Sequence, residues 1–281
     1  MSALVGIVTY NPEARFNKCI EAATKQGVEV LVVDNGSRNI EEIERVCKTF
    51  SNVTVVTNRE NKGIAAALNQ IFQYAKEKQY EWVLTLDQDT IVPERIVSRY
   101  LGAITDVGDV SVLCPRIYDC YSKRMLMDEH EKKYVEVERC ITSASFTSVD
   151  VWEKVGGFDE YLFIDEVDHD FCWRIRTSDF RIILVSNIVV EHQIGQTDIY
   201  ELFGIKIYVR NHSAFRKYYI VRNMIYLYKK QNRKLTISAI MHAIAFMLKT
   251  VIFEAERFEK MRACVKGLYD GVITQDTVTK Q

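Results

Sequence analysis

An α/β fold is expected for this chain: a mostly parallel central sheet with helices on both faces, followed by a helical C-terminal extension. Three features predict it. Across the first hundred residues, aliphatic runs of strand length alternate with longer amphipathic stretches, the pattern of βαβ units whose strands are buried on both faces. Each aliphatic run gives way to a polar loop, and two of these loops open on aspartate. Beyond residue 200 the composition turns basic and aromatic.

The elements follow in order. Residues 4–10 read as a strand and 13–26 as a helix. Residues 28–33 form a second strand and 40–50 a helical stretch. A third strand covers 53–57, a helix 64–78 and a fourth strand 82–86. In such sheets ligands bind in the crevice past the carboxyl ends of the strands. The loops at those ends are Thr9-Tyr10-Asn11-Pro12, Asp34-Asn35-Gly36-Ser37, residues 58–63 and Asp87-Gln88-Asp89-Thr90. The fold thus gathers polar groups distant in sequence onto one rim. Residues 125–142 alternate charged and apolar side chains around Tyr134, Val135 and Val137, suggesting strands beside the main sheet. Residues 148–156 read as a short helix closed by glycine. Asp165, Asp168 and Asp170 precede a helical run ending near Ser178, with Asp165 and Asp168 three apart on one helical face.

Composition bounds the function. The chain has 281 residues, 48% hydrophobic and 27% charged, enough for one large or two small domains. A net charge of −1 leaves no global basic footprint, so no nucleic-acid partner is expected. Seven dispersed cysteines without a Cys-x-x-Cys pair suit a reduced, cytoplasmic chain. The N-terminus lacks a basic leader, and its apolar run soon meets Asn11-Pro12, so no signal peptide is expected. No Gly-x-Gly-x-x-Gly follows the first strand and no Gly-Lys-Ser/Thr loop occurs, which disfavours dinucleotide-binding and P-loop classes.

The chemistry centres on Val83-Leu84-Thr85-Leu86-Asp87-Gln88-Asp89-Thr90. Two carboxylates one residue apart at the end of a buried strand are costly unless a cation or strong donors neutralise them. Mg²⁺ or Mn²⁺ takes such oxygen ligands and keeps positions open for phosphate. A solvated acidic turn is the competing account. Asp34 can bind a base or ribose, or close an Asx turn before the helix near residue 40. Asn61-Lys62-Gly63 can offer donors to a diphosphate at a helix N-terminus, or be an ordinary loop. Asp165 can serve as an N-cap, with Asp168 and Asp170 as first-turn acids. His192, after the aliphatic strand 182–190, is either structural or the third member of a cation site.

Taken together, these residues resemble the inverting GT-A glycosyltransferases of family 2. The resemblance rests on Val32-Val33-Asp34-Asn35-Gly36-Ser37, Asn61-x-Gly63-Ile64-Ala65-x-x-Leu68-Asn69 and Asp87-Gln88-Asp89. It continues through Val155-Gly156-Gly157-Phe158-Asp159-Glu160, Phe163-Ile164-Asp165-x-x-Asp168-x-Asp170-x-Cys172-x-Arg174 and His192-x-x-Gly195. Tyr218-Tyr219-x-x-Arg222-Asn223 and Gly267-Leu268-x-Asp270-Gly271 complete it. The form Leu-Asp-Gln-Asp-Thr is similar to the bacterial rhamnosyltransferase branch. The resemblance implies a GT-A, Rossmann-like nucleotide-diphospho-sugar transferase fold, with the catalytic domain over 1–200. Residues 1–110 would be its nucleotide-binding half, 111–200 its acceptor and catalytic half, and 201–281 a basic helical region.

The resemblance also implies roles. Asp168 would be the base that deprotonates the acceptor hydroxyl, with Asp165, Asp170 and Ser143 on the acceptor side. Thr9, Asn11, Asp34, Asn61, Lys62, Asp87 and Arg222 would bind the nucleotide sugar. Asp89 and His192, with Asp87, would hold Mg²⁺ or Mn²⁺. The donor favoured is dTDP-rhamnose, the acceptor a saccharide or lipid-linked saccharide. Ser143-Ala144 stands where the resemblance expects Ser-Gly, and His169 adds a titratable group to the catalytic helix; both leave acceptor specificity open.

Between Glu201 and Glu254 there is no acidic residue but ten Lys/Arg, interleaved with Tyr208, Tyr218, Tyr219, Tyr226 and Tyr228. Such a segment can hold a diphosphate, an anionic lipid surface or single-stranded nucleic acid, or be a solvated helix face. Residues 235–253 are mostly apolar but interrupted by His242 and Lys249. They favour a helix lying on a membrane surface over a span, with a buried helix or homodimer contact as alternatives. The chain would then sit in the cytoplasm, peripherally at the inner membrane face. The rival classes are a UDP-hexose transferase of the same family, a nucleotidyltransferase, and a non-catalytic membrane-binding protein.

Overall fold

The structure, a computed structural model, describes residues 1–126, 131–192, 198–202 and 204–274. Gly195 of the histidine motif and residues 127–130 of the alternating stretch lie outside the described residues. The chain divides into two compact units: residues 1–163 with 167–194, and residues 164–166 with 195–281.

The first unit opens with strands β1 (Ala3–Thr9), β2 (Glu29–Asp34), β3 (Val53–Thr57) and β4 (Trp82–Asp87), connected by helices α1 (Arg15–Thr24), α2 (Ile40–Cys47) and α3 (Ile64–Glu77). Helix α4 (Ile96–Val107) then leads to β5 (Val112–Asp119), two elements beyond the predicted alternation. Short strands β6 (Arg124–Met125), β7 (Tyr134–Glu136) and β8 (Phe146–Ser148) follow. Helix α5 (Val149–Lys154), a 3₁₀ turn over Glu160–Leu162 and α6 (Val167–Thr177) precede the long β9 (Ile182–His192). The strands lie in the order β3-β2-β1-β4-β8-β5-β9-β7, with β6 beside β5.

The four leading strands are parallel, as are β5 and β9. In the second half the sheet is mixed: β8 runs antiparallel between β4 and β5, and β7 antiparallel to β9. Short strands entered from a loop need no crossover helix, so they can run either way. Register aligns Thr9 with Asp34, Asp34 with Thr57 and Val8 with Asp87. The carboxyl ends of the leading strands therefore share one rim.

The aliphatic runs form strands because helices cover both faces; Leu4, Val5, Ile7, Val32 and Leu84 are completely buried. Beneath the rim, Phe146 stacks between Trp82 and Tyr100, with centroids 5.2 and 5.4 Å apart. Tyr74 and Tyr80 hydroxyls donate to Glu29 (2.5 and 2.7 Å), fastening the end of α3 to the start of β2. Gly63 caps α3 at φ +86°. Ile64 N–H donates to Phe163 O (2.6 Å), and a Cβ on Gly63 would fall 2.7 Å from Phe163 Cα.

The second unit comprises an antiparallel pair, β10 (Asp198–Leu202) and β11 (Ile205–Val209), and helices α7 (Ala214–Asn232), α8 (Ile237–Phe253) and α9 (Arg257–Ile273). Ser213 and Thr236 start α7 and α8 by accepting from the backbone N–H of Arg216 and Ala239, ordinary N-caps. Gly267 and Gly271 let α9 approach α7 closely: a Cβ on Gly267 would run into Tyr218 O, and one on Gly271 would come within 2.8 Å of Arg222 O. The Tyr218 hydroxyl donates to Asp270 (2.7 Å) at the same contact. These contacts account for the Gly-Leu-x-Asp-Gly motif by packing.

The basic segment is not one solvated face. Lys217, Arg222 and Lys230 are buried. Lys217 pairs with Glu254 and bonds Thr250 Oγ1 (3.0 Å), while Lys260 Nζ lies 3.4 Å from Glu254. Among the described residues no helix is long and apolar enough to cross a membrane.

Candidate active site

The rim is built loop by loop. After β1 and β2, Asp34 is 1% exposed. It accepts hydrogen bonds from Thr9 Oγ1 (3.0 Å), Gly36 N–H (3.1 Å), Ser37 N–H (2.8 Å) and Ser37 Oγ (2.5 Å). These four donors put Asp34 in the turn role, and the Thr9 hydroxyl, 0% exposed, is spent on it. Both side chains face inward and shape the loop that would meet a nucleotide. Asn11, at φ +45°, joins the two loops: its N–H donates to Ser37 Oγ (2.7 Å) and its Oδ1 accepts from Arg38 N–H (2.8 Å). Asn61 Oδ1 accepts from Asn35 Nδ2 and from Gly63 N–H, both at 2.9 Å, and Lys62 N–H donates to Asn35 Oδ1 (3.0 Å). The Lys62 side chain lines an open groove with Asn69, Trp152 and Glu160.

The acidic turn closes β4 with Thr90 N–H donating to Asp87 O (3.1 Å). Gln88, between the carboxylates, makes two contacts with the backbone of Tyr10: Tyr10 N–H donates to its Oε1 (2.8 Å) and its Nε2 donates to Tyr10 O (3.4 Å). Arg15 Nε donates to Asp89 O (2.6 Å). Ser143, 1% exposed, accepts from Asp87 N–H (3.1 Å) and shares a hydrogen bond with Thr90 Oγ1 (2.6 Å). Thr90 Oγ1 in turn lies 3.0 Å from His192 Nδ1. Ser143 thus holds the acidic turn. Its neighbour Ala144 adopts φ +62°, a left-handed backbone that favours glycine. That geometry suits the glycine that the resemblance expects at this position.

His192 ends β9, and the sheet brings it to the carboxylates: Nε2 lies 3.7 Å from Asp87 Oδ2 and Nδ1 3.4 Å from Asp89 Oδ1. One ligand atom each from Asp87, Asp89 and His192 lie within 4.8 Å of one another. Asp89 Oδ1 is buried and meets no well-oriented donor among the described residues. Two carboxylates and one imidazole, with an orphaned oxygen between them, fit Mg²⁺ or Mn²⁺. The Thr90 hydroxyl at Nδ1 leaves Nε2 as the nitrogen able to take the cation, an outer-shell bond that orients the ring.

Electrostatics match the crowding. Burial raises the Asp87 pKa; the charges of Asp89 and Asp168 add to that and His192 opposes it. Burial alone would lower the His192 pKa, but Asp89, Asp87 and Asp119 outweigh it and leave it raised. Asp168 stands half-buried in the first turn of α6, its Oδ1 accepting from His169 N–H (2.9 Å). It borders a small cavity with Thr142, Cys140 and Phe171.

The other acids behave differently. Asp165 does not share a helical face with Asp168, because α6 begins at Val167 and Asp165 has φ +65°. It belongs to the second unit, where Arg216 Nε and Nη2 grip its carboxylate at 2.8–3.2 Å. Asp170 is 0% exposed and paired with Arg174 at 2.8 Å, which anchors it within α6. Arg222, also in the second unit, donates to Asn223 Oδ1 (2.9 Å) and lies over the Tyr219 ring at 4.6 Å. Gln88, Thr90 and Arg15 join the site without having been anticipated. The first two stand inside the acidic-turn motif, though with no role assigned there, and Arg15 carried no signal.

A rim that gathers Asp-x-Asp, a strand-end histidine and a first-turn aspartate can hold a divalent cation and, through it, a diphosphate, with a carboxylate to take a proton. The model of glycosyl transferase family 2 matches residues 4–183, and the chain belongs to that family. It is 28% identical over 285 residues to "dTDP-rhamnosyl transferase RfbF" of Shigella flexneri, covering 95% of this chain and 94% of that protein. Among solved structures, S. aureus TarS 1–349 in complex with UDP-GlcNAc superposes with a TM-score of 0.61 at 15% identity, covering 97% of this chain and 82% of that one. The mannosyltransferase PcManGT of Pyrobaculum calidifontis, in complex with GDP-Man and Mn²⁺, gives 0.60 at 16% identity, covering 98% and 76%. These likenesses establish the GT-A fold.

Proposed function

We propose that this glycosyltransferase is metal-dependent and inverting, and that it moves L-rhamnose from dTDP-L-rhamnose onto a lipid-linked saccharide. It would act at the inner face of the cell membrane, where it is peripherally held. The observation that carries the reading is the convergence of Asp87, Asp89 and His192 within 4.8 Å, close enough to Asp168 for its charge to raise the Asp87 pKa. The sugar is supported by the similarity to the Shigella flexneri rhamnosyl transferase along 95% of the chain.

Asp168 takes the proton of the acceptor hydroxyl while that oxygen bonds to the anomeric carbon from the face opposite the diphosphate. The carbon–oxygen bond to the diphosphate breaks, and the nucleoside diphosphate departs with that electron pair. A positioned carboxylate contributes on the order of 10²–10⁴-fold to such a step. Asp89 and His192, with Asp87, would hold Mg²⁺ or Mn²⁺, which offsets the charge of the donor's diphosphate. Asn11, Asn61 and Lys62 support the loops that face the donor.

The test is thermal stabilisation and nucleotide release with Mn²⁺ or Mg²⁺ and, in separate samples, dTDP-rhamnose, UDP-glucose or UDP-galactose. Metal-dependent stabilisation by dTDP-rhamnose, lost in Asp89→Ala, is expected. Preference for a UDP-sugar would discard the rhamnosyl assignment, and indifference to every nucleotide sugar would overturn the donor reading.

A further inference from the structure

Surface helices usually turn their aliphatic side inward. Helix α8 does the reverse. Its inward residues Ala239, Ala243 and Thr250 are fully buried, whereas Ile237, Met241, Ile244, Leu248 and Ile252 are 81, 59, 41, 56 and 65% exposed. At 100° per residue these five occupy one arc of about 80°. The sole charged side chain on α8, Lys249, points back to Tyr208 O. Helix α9 continues the theme: Phe258, Val265, Tyr269 and Ile273 are 87, 51, 63 and 57% exposed, interleaved with exposed Arg262 and Lys266. Arg233 and Lys234, also exposed, lie immediately before α8.

We infer that the outward faces of α8 and α9 form a docking surface for an anionic phospholipid bilayer. Charge selects this occupant. The chain carries no acid from 202 to 253, and the exposed charges beside α8 and along α9 are Arg233, Lys234, Arg257, Arg262 and Lys266 against Glu256 and Glu259. Two copies meeting here would confront surfaces of the same sign, which disfavours association; an anionic headgroup layer complements them. Geometry sets the mode. The inward side of α8 is committed to the core with Val221, Ile225 and Cys264, and its 17 residues extend only about 25 Å. It therefore lies in the membrane plane, its aliphatic side chains entering the boundary between headgroups and acyl chains. This deepens the peripheral attachment in the reading above by naming the surface that makes it.

The test uses the full chain with vesicles of phosphatidylcholine alone and of phosphatidylcholine with phosphatidylglycerol, at low and high salt. Co-sedimentation is expected with the anionic vesicles, weakening as salt rises. Met241→Glu and Leu248→Glu, made separately at exposed positions, should each reduce the partition about tenfold or more. Both variants should keep the wild-type circular dichroism and its donor-dependent thermal shift. Arg262→Gln with Lys266→Gln should flatten the salt dependence. Absent vesicle binding, binding indifferent to both glutamates, or a dimer dissolved by Leu248→Glu in a protein that ignores vesicles would each overturn the inference. The donor response is read in the same samples. Vesicle binding without any nucleotide response would overturn the donor reading and leave the docking surface standing.

Discussion

Between the paired carboxylates stands Gln88, whose amide holds the Tyr10 backbone at 2.8 and 3.4 Å. It ties the loop after β1 to the acidic turn, so both present themselves to a donor as one surface. A net hydrogen bond is worth about 1 kcal/mol, and Gln88→Ala should raise the donor KM about fivefold with kcat little changed, as initial rates would show. Ser143 acts at one remove, through Asp87 N–H and Thr90. Loss of such outer-shell bonds costs about 10–100-fold in metal affinity, so Ser143→Ala should weaken Mn²⁺ binding in a calorimetric titration. Asp168→Asn should lower kcat by roughly 10²–10⁴-fold while donor-dependent stabilisation persists; equal loss of both would remove Asp168 from the role of base. At this scale Asp87, Asp89 and His192 were legible because each follows an aliphatic run at a strand end. The shared helical face expected for Asp165 and Asp168 was not legible, because spacing in a short acidic stretch does not reveal where the helix begins or which arginine takes the charge.

Among the elements, α3 carries two local devices. Gly63 combines a positive-φ, extended backbone that only glycine readily adopts with a close approach to Phe163. Gly63→Ala adds about 1–3 kcal/mol of backbone strain and a clash, so the melting temperature should fall by several degrees. At its far end, burial disfavours a charged Glu29, but the Tyr74 and Tyr80 hydroxyls outweigh burial and lower its pKa. The Glu29 bond in turn pushes Tyr80 up to about 12 from its ordinary value of 10. The tyrosine's folded value is the higher one, so its contribution is whole below pH 10 and disappears as pH climbs toward about 12. Thermal melts across that range should fall more steeply for the wild type than for Tyr80→Phe. Leading strands and helices were readable because strands buried on both faces are short continuous aliphatic runs, whereas the helices are longer and amphipathic. The short β6, β7 and β8 and the pairing of β8 between β4 and β5 were not, since three residues carry no period.

For the whole molecule, the second unit holds its charge inside. Burial lowers the Lys217 pKa, and Glu254 opposes that shift. Removing one partner of a buried pair costs about 3–5 kcal/mol. Glu254→Gln, leaving Lys217 and Lys260 opposite a neutral amide, should accelerate hydrogen exchange through α7, α8 and α9. The donor-dependent thermal shift of the first unit should remain, and loss of that response would show that the two depend on each other.

Sequence alone determined the α/β class, the carboxylate-bearing rim and the family's motifs, because local periodicity and strand-end residues carry that information within a few positions. Only the tertiary structure decided how those residues are used. It turned Thr9, Asp34 and Ser143 inward, gave Asp165 to Arg216, buried Asp170, and brought His192 to Asp87 across about a hundred residues. It also turned the aliphatic side of α8 outward, which composition cannot reveal. The physical reason is the same in each case: a side chain's role depends on the donors, charges and apolar atoms that long-range packing sets around it.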